Sequence, residues 1–288
     1  QAAELVAGSA ATRPLRWSAT LWCRQVLTLT ARYTRVVVSD RRTLTILGVT
    51  APVLGFILML RFPPGQLAPL APDETPLFDQ SALMLFIVAM GITQVATSTS
   101  IREIVKERPI LDRERTVGVS VSAYVVSKLV VLGGLAVVQA SIIVLIATAR
   151  QQGPDVGVAL GSGRLELIVV GALTALGAMA LGLLVSASVR SADRVALILP
   201  AVLGFHVLVT SVEVMPNAPR LPVVEEARYL STARWGFAAF AATADVEQRG
   251  QMTRVIGEVS DMTPGELAEL HAADGLDDVA PVHGDLRH

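Results

Sequence analysis

Long apolar runs alternate with short polar segments along this chain. Five of the runs are long enough to cross the roughly 30 Å hydrocarbon layer of a bilayer as helices. They extend from about Thr43 to Leu60, from Ser81 to about Val105, from Val119 to Ala149, from Leu165 to Val189, and from Val195 to about Val214. The pattern predicts an all-α polytopic membrane protein with five visible transmembrane helices.

The segment before the first run, residues 18–40, has the period of an amphipathic helix. Its apolar stripe includes Trp22, Leu29 and Tyr33, while Arg32 lies on another side. We expect an interfacial helix along the cytoplasmic membrane surface, with Trp22 and Tyr33 at headgroup depth. Packing of the same stripe on protein is the alternative, and the two arrangements are compatible.

A dense charged segment, at about residues 102–118, separates the second and third apolar runs. Because such a segment is too polar for hydrocarbon, we predict a short cytoplasmic hinge helix between two spans. Charges on adjacent turns can pair with one another and with a soluble partner. The residues that we assign to this role are Glu103, Glu107, Arg108, Arg113 and Glu114. A solvated loop without a mechanical role is the alternative.

Basic residues are unevenly distributed between the two ends of the predicted spans. The segment before the first span, the hinge and the link between the fourth and fifth spans carry most of them: Arg13, Arg16, Arg24, Arg32, Arg35, Arg41, Arg42, Arg102, Lys106, Arg108, Arg113, Arg115, Arg190 and Arg194. The opposite loops carry Arg61, Arg150 and Arg164. The bias places the N-terminus and the hinge in the cytoplasm of a cell (plasma) membrane protein. Residues 1–17 are then a linker, and residues 215–288 form an extracytoplasmic loop region.

Composition narrows the range of functions. The chain has 288 residues, of which 52% are apolar and 17% charged, with a net charge of −1. A nearly neutral chain does not suit nucleic acid as a partner. A single cysteine and four scattered histidines predict neither a disulfide framework nor a metal site. We expect no catalytic residue, because a membrane-embedded enzyme would need paired acids or a nucleophile and base inside the spans.

Two motifs resemble a known family. The hinge contains Glu107-Arg108-Pro109-Ile110-Leu111 and Arg113-Glu114, followed by Tyr124 and Lys128 in the third span. After the fifth span comes Tyr229-Leu230-Ser231-Thr232-Ala233-Arg234-Trp235, with Thr232 where proline is usual. From about residue 18 to 240 the chain is similar to the membrane domain of ABC exporters of the G subfamily type. Among bacterial half-transporters it looks most like the actinobacterial kind with FHA domains upstream.

The resemblance implies several properties of the complete protein. Residues 18–40 correspond to the connecting helix and the hinge to the coupling helix. Independently of the resemblance, the semi-apolar residues 228–244 suit a short re-entrant or interfacial helix. We expect a homodimer that works with an ABC nucleotide-binding domain and with membrane lipids. ATP and Mg are expected on that domain, and no cofactor in this chain, because the phosphate-binding pattern G-x-x-x-x-G-K-[ST] does not occur. The expected sixth span is absent, so we expect truncation at both ends and a nucleotide-binding domain upstream of Gln1.

The resemblance also implies a substrate route along the second and fifth spans. Its candidate residues are Met90, Gln94, Thr97, Phe205, His206 and Thr210. Hydrogen bonding between neighbouring helices is the alternative for these polar groups. We expect ATP-driven export of a lipid-like or amphipathic substrate by alternating access. The alternatives are a non-transporting membrane scaffold and a permease that uses a separate ATPase chain.

Overall fold

The computed structural model describes residues 19–67, 78–154, 156–211 and 222–245. Within these ranges the chain is helical and has no strands. The helices are α1 (Ala19–Ser39), α2 (Arg41–Arg61), α3 (Phe78–Ser100), α4 (Arg108–Thr116), α5 (Val121–Ala147), α6 (Gly163–Ser188), α7 (Ala192–Ser211), α8 (Pro222–Ala227) and α9 (Thr232–Thr243). Turns of 3₁₀-helix cover Val105–Glu107 and Arg228–Leu230.

Five of these helices, α2, α3, α5, α6 and α7, are long and apolar enough to cross a membrane. The prediction of an all-α polytopic membrane protein is confirmed. The predicted linker at residues 1–17 and the predicted loop region beyond residue 245 lie outside the described residues, and so does the expectation about a sixth span.

The second span ends earlier than the hydrophobic pattern predicts. Helix α3 stops at Ser100, whereas the apolar run continues to about Val105. The reason is that the backbone amides of Ile104 and Val105 both donate hydrogen bonds to Ser186 Oγ on α6, each at 3.0 Å, instead of to carbonyl groups of α3. These amides therefore leave the α-helical ladder, and the chain turns toward α4.

Helix α3 lies at the centre of the bundle and packs against α5, α6 and α9. Its contact with α6 is close at Gly182, where an added Cβ would lie 2.1 Å from Ser100 Oγ and 3.0 Å from the Thr97 carbonyl oxygen. Glycine therefore permits the two backbones to approach. We refer to the ends of the spans near α4 as the hinge side and to the opposite ends as the far side.

Helix α9 runs antiparallel to α6 and lies against the spans. Three neighbouring pairs define its path from the middle of α6 toward the far side: Gly177 with Thr232, Thr174 with Gly236, and Gly171 with Phe240. Its buried face includes Phe237 and Phe240, and the Phe237 ring meets Phe86 of α3 edge to face at 6.2 Å. The segment before α9 thus returns to the depth of the span interiors, as a re-entrant helix does.

Candidate functional site

The hinge predicted at residues 102–118 forms a shorter helix than expected. Helix α4 begins at Arg108, and Pro109 occupies its first turn. Proline has no N–H to donate and fits the first turn, so the helix begins there rather than further upstream. The residues before it form turns and a 3₁₀ segment that carries Glu107.

A buried lysine on α5 holds the hinge acids in place. The Lys128 side chain is 1% exposed, and its Nζ lies 2.7 Å from Glu107 Oε1 and 3.6 Å from Glu103 Oε2. A buried ammonium group is costly unless it is paired with opposite charge. The two carboxylates therefore bind the start of the hinge to α5.

Two tyrosines complete this group. The Tyr124 hydroxyl donates to Glu107 Oε2 at 2.9 Å, and the Tyr33 hydroxyl donates to Glu103. The Tyr33 ring also faces Lys128, with Nζ 3.3 Å from the ring centroid, a cation–π contact. We call these five residues, Tyr33, Glu103, Glu107, Tyr124 and Lys128, the charge cluster.

Tyr33 is buried on protein, which was the alternative for the apolar stripe. Only 6% of the residue is exposed, since the ring packs against Lys128 of α5. Its position at lipid headgroup depth stays a prediction. Burial, and then the neighbouring Glu103 carboxylate, raises the pKa of the Tyr33 phenol. Tyr33 is thus a neutral hydrogen-bond donor inside the protein.

A second ion pair joins α1 to α4. The Arg32 guanidinium contacts both carboxylate oxygens of Glu114, with Nη1 2.5 Å from Oε1 and Nη2 3.2 Å from Oε2. The hydrogen bond to Glu114 raises the pKa of Arg32. Because the pair is bidentate, it fixes the orientation of the two helices as well as their distance.

Further hydrogen bonds attach α1 to the segment between α4 and α5. The Gln25 amide donates to the Gly118 carbonyl oxygen and accepts from the Ser120 amide, both at 3.2 Å. The Trp22 indole donates to Ser122 Oγ at 3.0 Å. Helix α1 therefore packs on protein through its apolar stripe, which was the alternative that the sequence allowed.

The five predicted hinge residues make different contacts. Glu103 and Glu107 belong to the charge cluster, and Glu114 pairs with Arg32. Arg108 Nη2 donates to the Ala187 carbonyl oxygen at the end of α6, at 2.5 Å. Arg113 is exposed on α4. Four of the five thus connect the hinge to other parts of the chain.

A cavity of about 270 Å³ opens beside the charge cluster, between α1, α4 and α5. Leu29, Val36 and Ile110 provide apolar walls, and Arg32 and Lys128 provide cationic groups. The cavity lies at the junction of the three helices.

The predicted route residues fall into two groups. Met90, Gln94 and Thr97 lie on α3, where the Thr97 hydroxyl donates to the Ala178 carbonyl oxygen at 3.3 Å. On α7, His206 Nδ1 lies 2.8 Å from Ser231 Oγ, and Thr210 Oγ1 lies 3.1 Å from the same oxygen. Phe205 is partly buried beside His206. The structure brings His206 and Thr210 together at the turn before α9, and a route along α3 and α7 stays a prediction.

Sequence reasoning did not assign Arg32, Tyr33, Tyr124 and Lys128 to the site. A usable signal was present for Lys128, because a lysine within an otherwise apolar span marks a paired or functional charge. For Tyr33, the apolar stripe on α1 predicted that the side chain is buried, but it did not predict which helix covers it.

Comparison with known proteins is consistent with this geometry. Residues 24–244 match the family described as ABC-2 type transporter. The chain is 35% identical over 227 residues to a protein of Mycobacterium tuberculosis named as an ABC transporter ATP-binding/permease protein. The match covers 77% of this chain and 26% of that relative, so the chain spans about a quarter of the relative's length.

Proposed function

This chain belongs to the ABC-2 type transporter family and is a membrane domain of that type, and we propose that it moves a lipid-like or amphipathic substrate out of the cytoplasm by alternating access. The proposal includes a plasma-membrane location with the N-terminus in the cytoplasm. The excess of arginine before α2 and in the hinge supports that orientation.

The observation that carries the proposal is the charge cluster. Through Lys128 it joins the hinge to α5, and Tyr33 extends it to α1. Ser186 and the Ala187 carbonyl oxygen join the same hinge to α6. A force applied to α4 therefore acts on three helices at once, two of which span the membrane. A device that converts movement of a soluble motor into movement of spans needs such connections.

The motor in this proposal is an ATP-binding domain that contacts the hinge side at the cavity between α1, α4 and α5. The name of the similar mycobacterial protein supports such a partner, because it combines an ATP-binding part with a permease. ATP and Mg would be bound on that domain. Whether it shares a chain with this membrane domain does not change the role of the hinge.

The proposed assembly is a homodimer with the substrate route between α3 and α7. The candidate lining contains no Asp, Glu, Lys or Arg, and its polar groups include Gln94, which is partly exposed in the single chain. A route with few fixed charges suits an amphiphile better than a small ion.

A charge exchange tests whether the α1–α4 connection transmits force. We expect Arg32→Glu and Glu114→Arg each to lower the transport of a fluorescently labelled phosphatidylethanolamine per ATP hydrolysed, and the double exchange to restore it. An exposed pair contributes at most about 1 kcal/mol to stability, so the single variants should remain folded.

The measurement uses the full-length transporter in proteoliposomes, with ATP hydrolysis and lipid transport followed in parallel. Wild-type ratios in both single variants, or no recovery in the double variant, would contradict the proposed coupling. Lipid-independent hydrolysis together with transport of small hydrophilic solutes would contradict the proposed substrate class.

A further inference from the structure

A buried carboxylate lies at the opposite end of the bundle from the charge cluster. Glu166, in the first turn of α6 on the far side, is 7% exposed. Its Oε2 accepts hydrogen bonds from the backbone amides of Ala159 and Leu160, at 2.8 Å and 3.1 Å. Its Oε1 accepts the hydroxyl hydrogen of Thr243, at 2.8 Å. We call these four residues the Glu166 cluster.

The loop before α6 closes tightly around this carboxylate. An added Cβ at Gly157 would lie 2.4 Å from Glu166 Oε2, so the absence of a side chain at Gly157 allows the loop to approach the carboxylate. A carboxylate that receives two backbone donors and one hydroxyl has most of its acceptor capacity used. The contacts are therefore specific and depend on the charge and shape of Glu166.

The cluster is one of two attachments of α9. At its start, Ser231 is hydrogen-bonded to His206 and Thr210 of α7. At its end, Thr243 is hydrogen-bonded to Glu166 of α6. Helix α9 therefore connects α7, which carries part of the predicted route, with α6 and the far-side loop.

We propose that Glu166 is a positioning residue that holds the end of α9 and the loop at residues 157–162 in one arrangement during transport. The carboxylate acts on the route through α9 and does not contact the substrate. This inference goes beyond the proposed coupling role of the hinge. Its transport measurement rests on the proposed function, whereas its hydrogen-exchange measurement does not.

Hydrogen exchange of the full-length transporter in lipid nanodiscs tests this inference. Glu166→Gln should accelerate exchange at residues 159 and 160 and at residues 239–244 by about tenfold, the effect of losing one hydrogen bond to a charged group. Thr243→Val should accelerate exchange at residues 239–244 alone. The matched controls are Thr243→Ser, which keeps the hydroxyl, and Glu226→Gln, which removes an exposed acid of α8.

A transport readout separates positioning from general damage. We expect Glu166→Gln and Thr243→Val to transport less labelled phosphatidylethanolamine per ATP, while Thr243→Ser and Glu226→Gln match the wild type. Normal exchange at residues 239–244 in Thr243→Val would overturn the proposal even if Glu166→Gln failed to fold. Transport per ATP that is unchanged in Thr243→Val would overturn it too. If the wild type hydrolyses no ATP, the proposed function fails, and the exchange comparison still decides the role of Glu166.

Discussion

Lys128 is the residue on which the charge cluster depends. Its ammonium group lies between two carboxylates and against an aromatic ring, and the side chain is 1% exposed. Without this cation, Glu103 and Glu107 would repel each other in a partly buried site. The cluster is therefore more sensitive to Lys128 than to any exposed partner of the same acids.

Replacing the buried cation should destabilise the protein. We expect Lys128→Met to lower the free energy of unfolding by about 3 kcal/mol, since it leaves two acids without their buried partner. Lys106→Met is the control, because Lys106 pairs with Glu103 but its side chain is 51% exposed, and an exposed pair is worth less than about 1 kcal/mol. Thermal unfolding in detergent measures both variants. Equal losses of stability would show that burial of Lys128 is not the determining factor.

The buried Tyr33 phenol gives a prediction about the pH at which this side chain ionises. The pKa of Tyr33 is raised in the folded protein, so the fold favours the neutral phenol. Its contribution to stability is complete below the ordinary tyrosine pKa of about 10 and is lost only as the pH rises through the higher folded value. In NMR spectra of the ¹³C-tyrosine-labelled protein, the signal of Tyr33 is the one that disappears in Tyr33→Phe. We expect the chemical shift of that signal to stay constant up to about pH 10.5. Titration of that signal near pH 10 would mean that the ring is solvated.

Long-range pairing limited what the sequence predicted at the scale of residues. Glu103, Glu107 and Glu114 were identified because their charges cluster within one segment. Tyr33 meets Glu103 across a separation of 70 residues, and Arg32 meets Glu114 across 82. Periodicity reports which face of a helix is buried, but carries no information about the helix that covers it.

At the scale of elements, the apolar runs predicted the spans well and the hinge less well. Each predicted span corresponds to a helix, and α5 and α6 end within two residues of their predicted limits. The hinge helix is shorter than predicted because Pro109 determines where α4 begins. A pattern of hydrophobicity cannot show that Ser186 of a distant helix binds the amides that end α3.

The Ser186 contact should be a stabilising element of the hinge. Ser186→Ala leaves the amides of Ile104 and Val105 buried without an acceptor, at a cost of about 1–3 kcal/mol. We expect lower thermal stability and faster hydrogen exchange at residues 101–107. Ser188→Ala is the control, because that exposed hydroxyl bonds to the Leu184 carbonyl within its own helix. If the two variants behave alike, the Ser186 bonds do not hold the turn.

For the whole molecule, the charge cluster and the Glu166 cluster lie at opposite ends of the bundle. The first connects the hinge to α1 and α5, and the second connects α6 and the far-side loop to α9. Each uses a carboxylate whose partners come from other elements. The arrangement predicts that changes on either side lower transport per ATP, whereas only changes on the far side alter hydrogen exchange at the end of α9.

The most direct test of the coupling role is a comparison of Glu107→Arg with Asp112→Arg. Glu107 binds Lys128 and Tyr124, whereas Asp112 is exposed and, by helical spacing, lies on the side of α4 opposite to Ile110 and Glu114. ATP hydrolysis and transport of labelled phosphatidylethanolamine are measured for the full-length protein in proteoliposomes. The account predicts that Glu107→Arg still hydrolyses ATP but transports at least about tenfold less lipid per ATP, a change of 1.4 kcal/mol or more in coupling, and that Asp112→Arg matches the wild type. Wild-type transport per ATP in Glu107→Arg would contradict it.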